Sequence, residues 1–272
     1  MIKQAIIPLA GLGTRMLPLT SVIPKELLPI NGKPNLEYIL DECLQAGIKQ
    51  FIFVVPKNRP SIKKYFFNDN FYKKILKKKK NDKRLMKVFK RLKKFQKMIK
   101  FVYQNKPEGT GHAVLQCKKY LKGTHFLMLL ADDLIVKKNC SKEMISLHNK
   151  TKGSVIATRK VDRKTVSRWG ILGVKNKSKN SFLINDVIEK PKLSEAPSNY
   201  AIIGRYILPM KILSVLKNQG KGKGGEIHIT DAIKTLVKKN EKFYGNIFKG
   251  KYIDCGTLDG FISSGLTISK YL

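Results

Sequence analysis

The sequence predicts an α/β protein, with a mostly parallel sheet flanked by helices and extra antiparallel strands in the C-terminal half. Three observations carry that reading. The apolar run Ala5-Ile6-Ile7-Pro8-Leu9-Ala10 empties into Gly11-Leu12-Gly13-Thr14-Arg15, the pattern of a buried strand whose carboxyl end releases a glycine loop. A segment with helical spacing, residues 34–46, then leads to a second apolar run, Phe51-Ile52-Phe53-Val54-Val55, closed by Pro56. Strand, helix and strand in that order form a crossover, which joins parallel strands. Residues 125–131 are apolar almost throughout and stop at Asp132-Asp133, which sets acids at the carboxyl edge of the sheet, where open α/β folds bind ligands. No repeat and no Pro/Ser-rich linker divides the chain, so residues 1–272 read as a single domain.

The remaining elements follow in order. In the first helix Leu36, Ile39, Leu40, Cys43 and Leu44 recur at three- and four-residue steps, and Gly47 stands where a cap is expected. Residues 71–100 form a basic helical excursion in which Asp82 is the only acid. There Leu85, Val88, Phe89, Leu92, Phe95 and Ile99 mark an amphipathic helix, expected to pack its apolar stripe on the sheet edge under a lysine-covered outer face. A third strand at 100–104 runs into a second glycine loop, 104–114, which opens a helix reaching to about residue 120. Past Asn149, short apolar runs at 154–157, 170–174, 182–189 and 201–208 sit between polar turns, as antiparallel strands would. A helix from about 230 to 239 is expected to be capped by Thr230 or Asp231. Strands near 243–248 and 252–257 and a last helix from Leu258 complete the chain.

Composition excludes several classes. With 42% hydrophobic residues over 272 positions the chain can bury a core, so whole-chain disorder is excluded. No apolar run approaches the roughly 18 residues that cross a bilayer, and the N-terminus lacks the pattern of a signal peptide, so a cytoplasmic protein without a membrane partner is expected. Cys43, Cys117, Cys140 and Cys255 are far apart, which argues for reduced, buried thiols over a zinc site or disulfides. The formal charge of +36 would favour polyanions, but lysine is spread through nearly every loop and helix. A solvated basic surface is therefore expected over a nucleic-acid face.

The glycine loop fits neither common nucleotide fingerprint. Met16 occupies the third glycine position of GxGxxG, Pro18 and Pro24 deny the following helix, and no GxxxxGK run exists. The loop must then hold phosphates in an extended form, with Arg15 and Lys25 as cations. Attack on a nucleoside triphosphate, which carries about four negative charges, needs such cations and a divalent ion at the leaving group. Arg15, Lys25 and a magnesium ion on Asp132 would provide that.

The segments AGLGTRMLPLTSVIPKELLP at 10–29, QNKPEGTGHAV at 104–114, IEKP at 188–191, PSNYAIIGRYIL at 197–208, GEIHITDAI at 225–233 and DCGT at 254–257 carry a resemblance. In order and spacing, from residue 3 to about 268, the chain resembles the bacterial UTP-glucose-1-phosphate uridylyltransferases, within the wider sugar-1-phosphate nucleotidyltransferase family. The single GLG, the PKE run and GEIHITDAI look like the uridylyl branch more than the thymidylyl one. The resemblance implies a Rossmann-like fold of the nucleotide-diphospho-sugar transferase type. It also implies roles for matched residues. Ala10, Gly11, Gly13, Thr14 and Arg15 would surround the triphosphate, Lys25 would contact phosphate, and Gln104 and Gly109 would read the uracil edge. Asp132 and Asp254 would hold magnesium. Gly170, Glu189 and Lys190 would form the sugar-phosphate pocket, closed by the segment carrying Asn199 and Gly204. Glu189 and Lys190 point to opposite faces of a regular strand, so a bend at Pro191 or a local twist is required.

The implied reaction is an in-line attack of glucose 1-phosphate on the α-phosphorus of UTP, giving UDP-glucose and pyrophosphate, with Arg15, Lys25, Asp132 and Lys190 as its main groups. The nucleophile is already an anion, so no general base is required, and His112 reads as a structural residue at a helix start. A homo-oligomer, dimer or tetramer, is expected. Ala131, Trp169 and the very basic stretch 71–100 depart from the family's pattern. A thymidylyl or other sugar-1-phosphate nucleotidyltransferase, a catalytically weak regulatory relative and a polyanion-binding protein are the alternatives. The presence of Arg15, Lys25, Asp132, Lys190 and Asp254 together argues against the regulatory one.

Overall fold

The structure, a computed structural model, describes residues 2–80 and 82–270. β1 (Gln4–Pro8) lies at the centre of the parallel half of the sheet, with Ile6 and Ile7 facing separate hydrophobic cores on its two sides. Burial on both faces is why this strand reads as an unbroken apolar run. After the glycine loop, a hairpin of β2 (Pro29–Ile30) and β3 (Lys33–Pro34) turns on Asn31 and Gly32, both at positive φ, and leads into α1 (Asn35–Gln45). β4 (Gln50–Val55) returns parallel to β1 with Phe51 opposite Ala5. Three helices follow, α2 (Ser61–Phe67), α3 (Asp69–Lys78) and α4 (Lys83–Gln96), and β5 (Ile99–Tyr103) pairs parallel with β4. α5 (Thr110–Gln116) then crosses to β6 (His125–Leu129), parallel to β1 on its other side. The carboxyl ends of these four strands therefore share one edge.

The second half comprises β7 (Asp133–Val136), α6 (Cys140–Thr151), β8 (Ser154–Lys160), β9 (Gly170–Lys175), β10 (Ser181–Glu189), β11 (Tyr200–Pro209), α7 (Ile212–Asn218), α8 (Ile229–Lys238), β12 (Phe243–Ile247), β13 (Lys251–Asp254) and α9 (Leu258–Ser269). The nine-stranded sheet runs β5-β4-β1-β6-β11-β8-β12-β10-β9. β11 is antiparallel to both β6 and β8, and β10 to both β12 and β9, as expected for this half; β12 alone lies parallel to its neighbour β8. β7 and β13 form a separate antiparallel ribbon with Asp254 opposite Asp133. Phe51, Phe53, Leu127 and Leu129 pack under α1, α2, α4 and α6, while Ile52, Val54, Met128 and Ile156 pack under α5, α7 and α8. All four cysteines are buried and free. No helix among the described residues is long and apolar enough to cross a membrane.

The basic excursion differs from expectation in how its apolar stripe is used. Only Leu92 and Phe95 of α4 are buried, and Phe95 meets Phe51 and Phe66 edge-on at centroid separations of 6.4 and 5.9 Å. Nearer the start of α4, Phe89 stacks on Tyr72 of α3 at 5.7 Å and Val88 remains 39% exposed. The stripe is thus divided between the core and a partner helix, because α3 folds over half of it. Ile99 opens β5 instead of closing the stripe. The single acid, Asp82, caps α4 by accepting the Leu85 amide at 2.8 Å. Arg91 ties the helix to α1 through Glu37 and Asp41, at 2.7 Å each. The cap expected of Thr230 or Asp231 is also not formed: the N-cap position of α8 is His228, which makes no side-chain cap, and Thr230 bonds elsewhere.

This division of the stripe is testable. Phe95→Ala is expected to cost about 3–5 kcal/mol in urea unfolding, whereas Val88→Ala should stay within about 0.5 kcal/mol. Equal losses would mean the whole stripe faces the core.

Candidate functional site

At the carboxyl end of β1 the chain must leave the sheet without forming an α-helix, and Pro18 and Pro24 leave only short 3-10 turns, at Thr14–Met16, Leu19–Ser21 and Lys25–Leu27. Gly13 sits in the left-handed region at φ 69°, and its carbonyl accepts the Thr20 hydroxyl at 2.8 Å. A Cβ there would lie 3.1 Å from the Thr20 side chain, so this joint needs glycine on both counts. The third turn delivers Lys25 to the end of β6, where its ammonium donates to Asp132 Oδ2 at 2.5 Å. Arg15 Nη2 stands 3.5 Å from the same oxygen.

These charges set one another. Burial would raise the Asp132 carboxyl, but Lys25 outweighs it and holds the group below its usual range. Burial would likewise lower the Lys25 ammonium, and Asp132 and Glu26 together lift it instead. Glu26, at 3% exposure, is different: burial pushes its carboxyl up to about 7 despite the opposing pull of Lys25.

Asp254 arrives from the β7–β13 ribbon, which is stapled to the same turn by the Cys255 amide donating to the Asp132 carbonyl at 2.8 Å. Asp254 Oδ1 accepts the Gly256 amide at 2.9 Å. A Cβ on Gly256 would fall 2.6 Å from Arg15 Nη2, 2.7 Å from Asp132 Oδ2 and 3.2 Å from Asp254 Oδ1. Both carboxylates and the guanidinium therefore converge on space that only glycine leaves open. Two hard oxygen donors suit a divalent ion such as magnesium. Among the described residues no cluster of three or more His, Cys, Asp or Glu side chains forms a closed metal cage.

The sequence sets Asp133 beside Asp132 at the sheet edge without giving it a role of its own. Its Oδ1 accepts the Tyr252 hydroxyl at 2.6 Å, and burial together with Asp132 pushes its carboxyl up to about 7. A Cβ on Gly204 would sit 2.1 Å from Asp133 Oδ2, which accounts for that glycine. The doubled acid at 132–133 was the available signal; a turn, rather than a strand, lets both side chains reach one cavity.

That cavity, about 640 Å³, is lined by Thr14, Arg15, Asp132, Asp133 and Asp254 and by Gly170, Glu189, Lys190 and Gly204. Glu189 Oε2 accepts the Thr230 hydroxyl at 3.0 Å. Lys190 adopts φ 45°, so the bend needed to face both side chains inward falls at Lys190 itself and not at Pro191. Its ammonium lies 3.9 Å from Glu189 Oε1. Arg168 and Trp169 also line this cavity; nothing in the sequence marked Arg168. Asn199 is placed apart from it, its amide donating to the Val161 carbonyl at 3.2 Å.

A smaller pocket of about 160 Å³ adjoins, lined by Ala10, Gly11, Gln104 and Gly109, with Glu226 common to both. The opening loop is thus divided: Ala10 and Gly11 face the small pocket, Thr14 and Arg15 the large one. Gln104 is 4% exposed, its amide nitrogen donating to the Gly109 carbonyl at 3.2 Å and lying 2.9 Å from His112 Nδ1. His112 holds the Gln104 amide from the helix start, in keeping with a structural role. Gly109 (φ 99°) passes so close to residue 227 that a Cβ would be 2.7 Å from the Ile227 carbonyl.

Residues 4–270 match the family model described as nucleotidyl transferase. The chain is 39% identical over 264 residues, 97% of its length and 90% of the relative's, to UTP–glucose-1-phosphate uridylyltransferase 2 of Staphylococcus saprophyticus. It superposes on a UDP-glucose pyrophosphorylase complexed with UDP-glucose at a TM-score of 0.88, with 34% identity and all of both chains covered. A UTP-bound enzyme of the same kind from Acinetobacter baumannii gives 0.87 and 33%, over 98% of this chain and 93% of the other.

The Glu26 environment makes stability depend on pH. A carboxyl whose folded value lies above its unfolded one binds its proton more tightly when folded. Its contribution is complete below about 4.5 and is lost as pH rises through about 7. Glu26 should therefore account for a loss of up to about 3 kcal/mol between those values in urea titrations, alongside a slope of the same sign from Asp133, and Glu26→Gln should remove its share. An unchanged slope in the variant would assign the effect elsewhere.

Proposed function

This chain belongs to the nucleotidyl transferase family, among the UTP–glucose-1-phosphate uridylyltransferases, and we propose that it transfers the uridylyl group of UTP to glucose 1-phosphate, giving UDP-glucose and pyrophosphate. The observation that carries the reading is that two pockets, one of them holding a charged centre, share Glu226. A base-sized pocket with a buried amide meets a larger cavity holding a Glu-Lys pair, and Asp132, Asp254 and Arg15 stand in the larger cavity near its opening loop.

Each residue then has a task its chemistry allows. With its nitrogen held by the Gly109 carbonyl and His112, Gln104 offers its amide oxygen to a donor on the uracil edge, with Gly109, Ala10 and Gly11 leaving room for a flat ring. Gly13 turns the loop so that Thr14 and Arg15 reach the phosphates, and Lys25 adds a second cation at the Asp132 oxygen. A magnesium ion held by Asp132 and Asp254 would supply charge neutralisation at the departing pyrophosphate. Glu189 accepts glucose hydroxyls, Lys190 takes the sugar phosphate, and Gly170 and Gly204 keep backbone close to the sugar. The nucleophile is a phosphate already ionised near neutral pH, so positioning and charge stabilisation carry the rate and no side chain needs to take its proton. Asn199 does not line the larger cavity; its amide ties the start of β11 to the residue after β8.

A cytoplasmic setting fits the four free thiols. A homo-oligomer is supported by α9, on which Leu258, Ile262 and Leu266 recur every fourth residue at 54, 61 and 70% exposure. Purified protein should release pyrophosphate from UTP, glucose 1-phosphate and magnesium, and a panel with TTP and other sugar 1-phosphates would place its preference; silence with every pair would end the proposal. Asp132→Asn should lower kcat about 100-fold or more while circular dichroism stays native. Full activity would remove Asp132 from the centre.

A further inference from the structure

The ribbon that bears Asp133 and Asp254 forms no backbone ladder with any strand of the nine-stranded sheet, so its height over the sheet edge needs another anchor. Along β11, Gly204 turns toward the cavity and the next residue, Arg205, turns away from it into the helical layer, fully buried. Its Nε donates to both Glu42 carboxylate oxygens, at 3.0 and 3.1 Å, and Nη2 donates to Glu42 Oε2 at 2.6 Å. Nη1 is left for the Asp133 carbonyl, at 2.5 Å. Glu42, from α1, is itself held by the Ser141 amide (3.0 Å) and hydroxyl (2.6 Å) at the start of α6. One planar fork thus connects α1, α6 and β11 to the first residue of β7. Asp133 is flanked by Asp132 in the chain and faces Asp254 across the ribbon.

We infer that Arg205, oriented by Glu42, is a positioning residue for the transfer centre: it fixes the Asp133 carbonyl and through it the placement of the Asp132 and Asp254 carboxylates. Neither Arg205 nor Glu42 lines the substrate cavity, so their action passes through the backbone of the turn. Stability alone is a poor reason for such a pair, since apolar residues of similar volume commonly replace a buried ion pair at no loss. Direction is the better reason. A guanidinium can serve a carboxylate and a carbonyl at fixed angles at once, and an ammonium cannot. The inference rests on the uridylyl-transfer reading for its kinetic part only.

The test uses Arg205→Lys and the apolar double variant Arg205→Met with Glu42→Met, each against the unmodified chain. Thermal midpoint, kcat and KM for UTP, and Mn²⁺ affinity by electron paramagnetic resonance with UTP present and no sugar phosphate are the readouts. Arg205→Lys, assayed well below its midpoint, should lose about 10–100-fold in kcat with KM for UTP within about threefold, and bind Mn²⁺ about 10-fold more weakly. The double variant should recover the midpoint without recovering kcat or Mn²⁺ affinity. Wild-type kcat and Mn²⁺ affinity in Arg205→Lys, or their return together with stability in the double variant, would overturn the inference. Should Arg205→Lys fail to fold, the double variant decides alone. An unmodified chain without turnover would end the uridylyl reading, and the Mn²⁺ comparison would still decide the positioning role.

Discussion

A carboxylate set at the carboxyl edge of a parallel sheet is partly withdrawn from water and must be neutralised, and the site is arranged around how Asp132 meets that demand. Lys25 and Arg15 converge on one oxygen, from opposite ends of a loop that 3-10 turns and prolines keep compact. The same demand explains the small residues nearby. Gly256 leaves open the space where Asp132, Asp254 and Arg15 meet, and Gly204 admits the Asp133 carboxyl against the β11 backbone. A side chain at either position would force the charges apart. The loop is therefore shaped as much by the acid it must reach as by the phosphates it would hold.

That arrangement needs a rigid frame behind it, which the buried Arg205–Glu42 pair supplies from the opposite face of β11. The centre is thus built across the sheet. On β11, Gly204 opens toward the cavity, and the next residue, Arg205, carries a charge into the helical layer. Preorganised charge of this kind does its work without reorganising at the moment of reaction, which suits a transfer between two anions. The basic hairpin α3–α4 lies outside this frame, attached mainly through Phe95 and Arg91, and its remaining lysines are largely exposed.

Much of the parallel half was legible because its strands are buried on both faces. Unbroken apolar runs such as Phe51–Val55 admit few other interpretations, and Gly13, Pro18 and Pro24 constrain the loop locally. The core contact of α4 was read through Leu92 and Phe95 but not its extent, because periodicity shows that a face is apolar without showing what covers it; Phe89 stacks on Tyr72 of α3 instead. Thr230 has the chemistry of a helix cap, yet its hydroxyl goes to Glu189, a partner 41 residues away that local pattern cannot supply. Asp133 had no assigned role and Arg168 escaped notice for a similar reason, since each gains meaning only from the cavity they line.

By itself the sequence determined the order of elements, the parallel half-sheet, the free buried thiols and the glycine loop that cannot be a dinucleotide or P-loop motif. These follow from hydrophobic periodicity and from the backbone limits of glycine and proline, which act over a few residues. The tertiary structure alone decided that Lys25 rests on Asp132, that the chain bends at Lys190 to present Glu189 and Lys190 together, and that Arg205 reaches the Asp133 carbonyl from α1's side of the sheet. Each of these is a charge meeting a partner brought near only by folding, or a backbone turn selected by what its side chains reach. Coulombic energy depends on distance and burial, and neither is written in spacing along the chain.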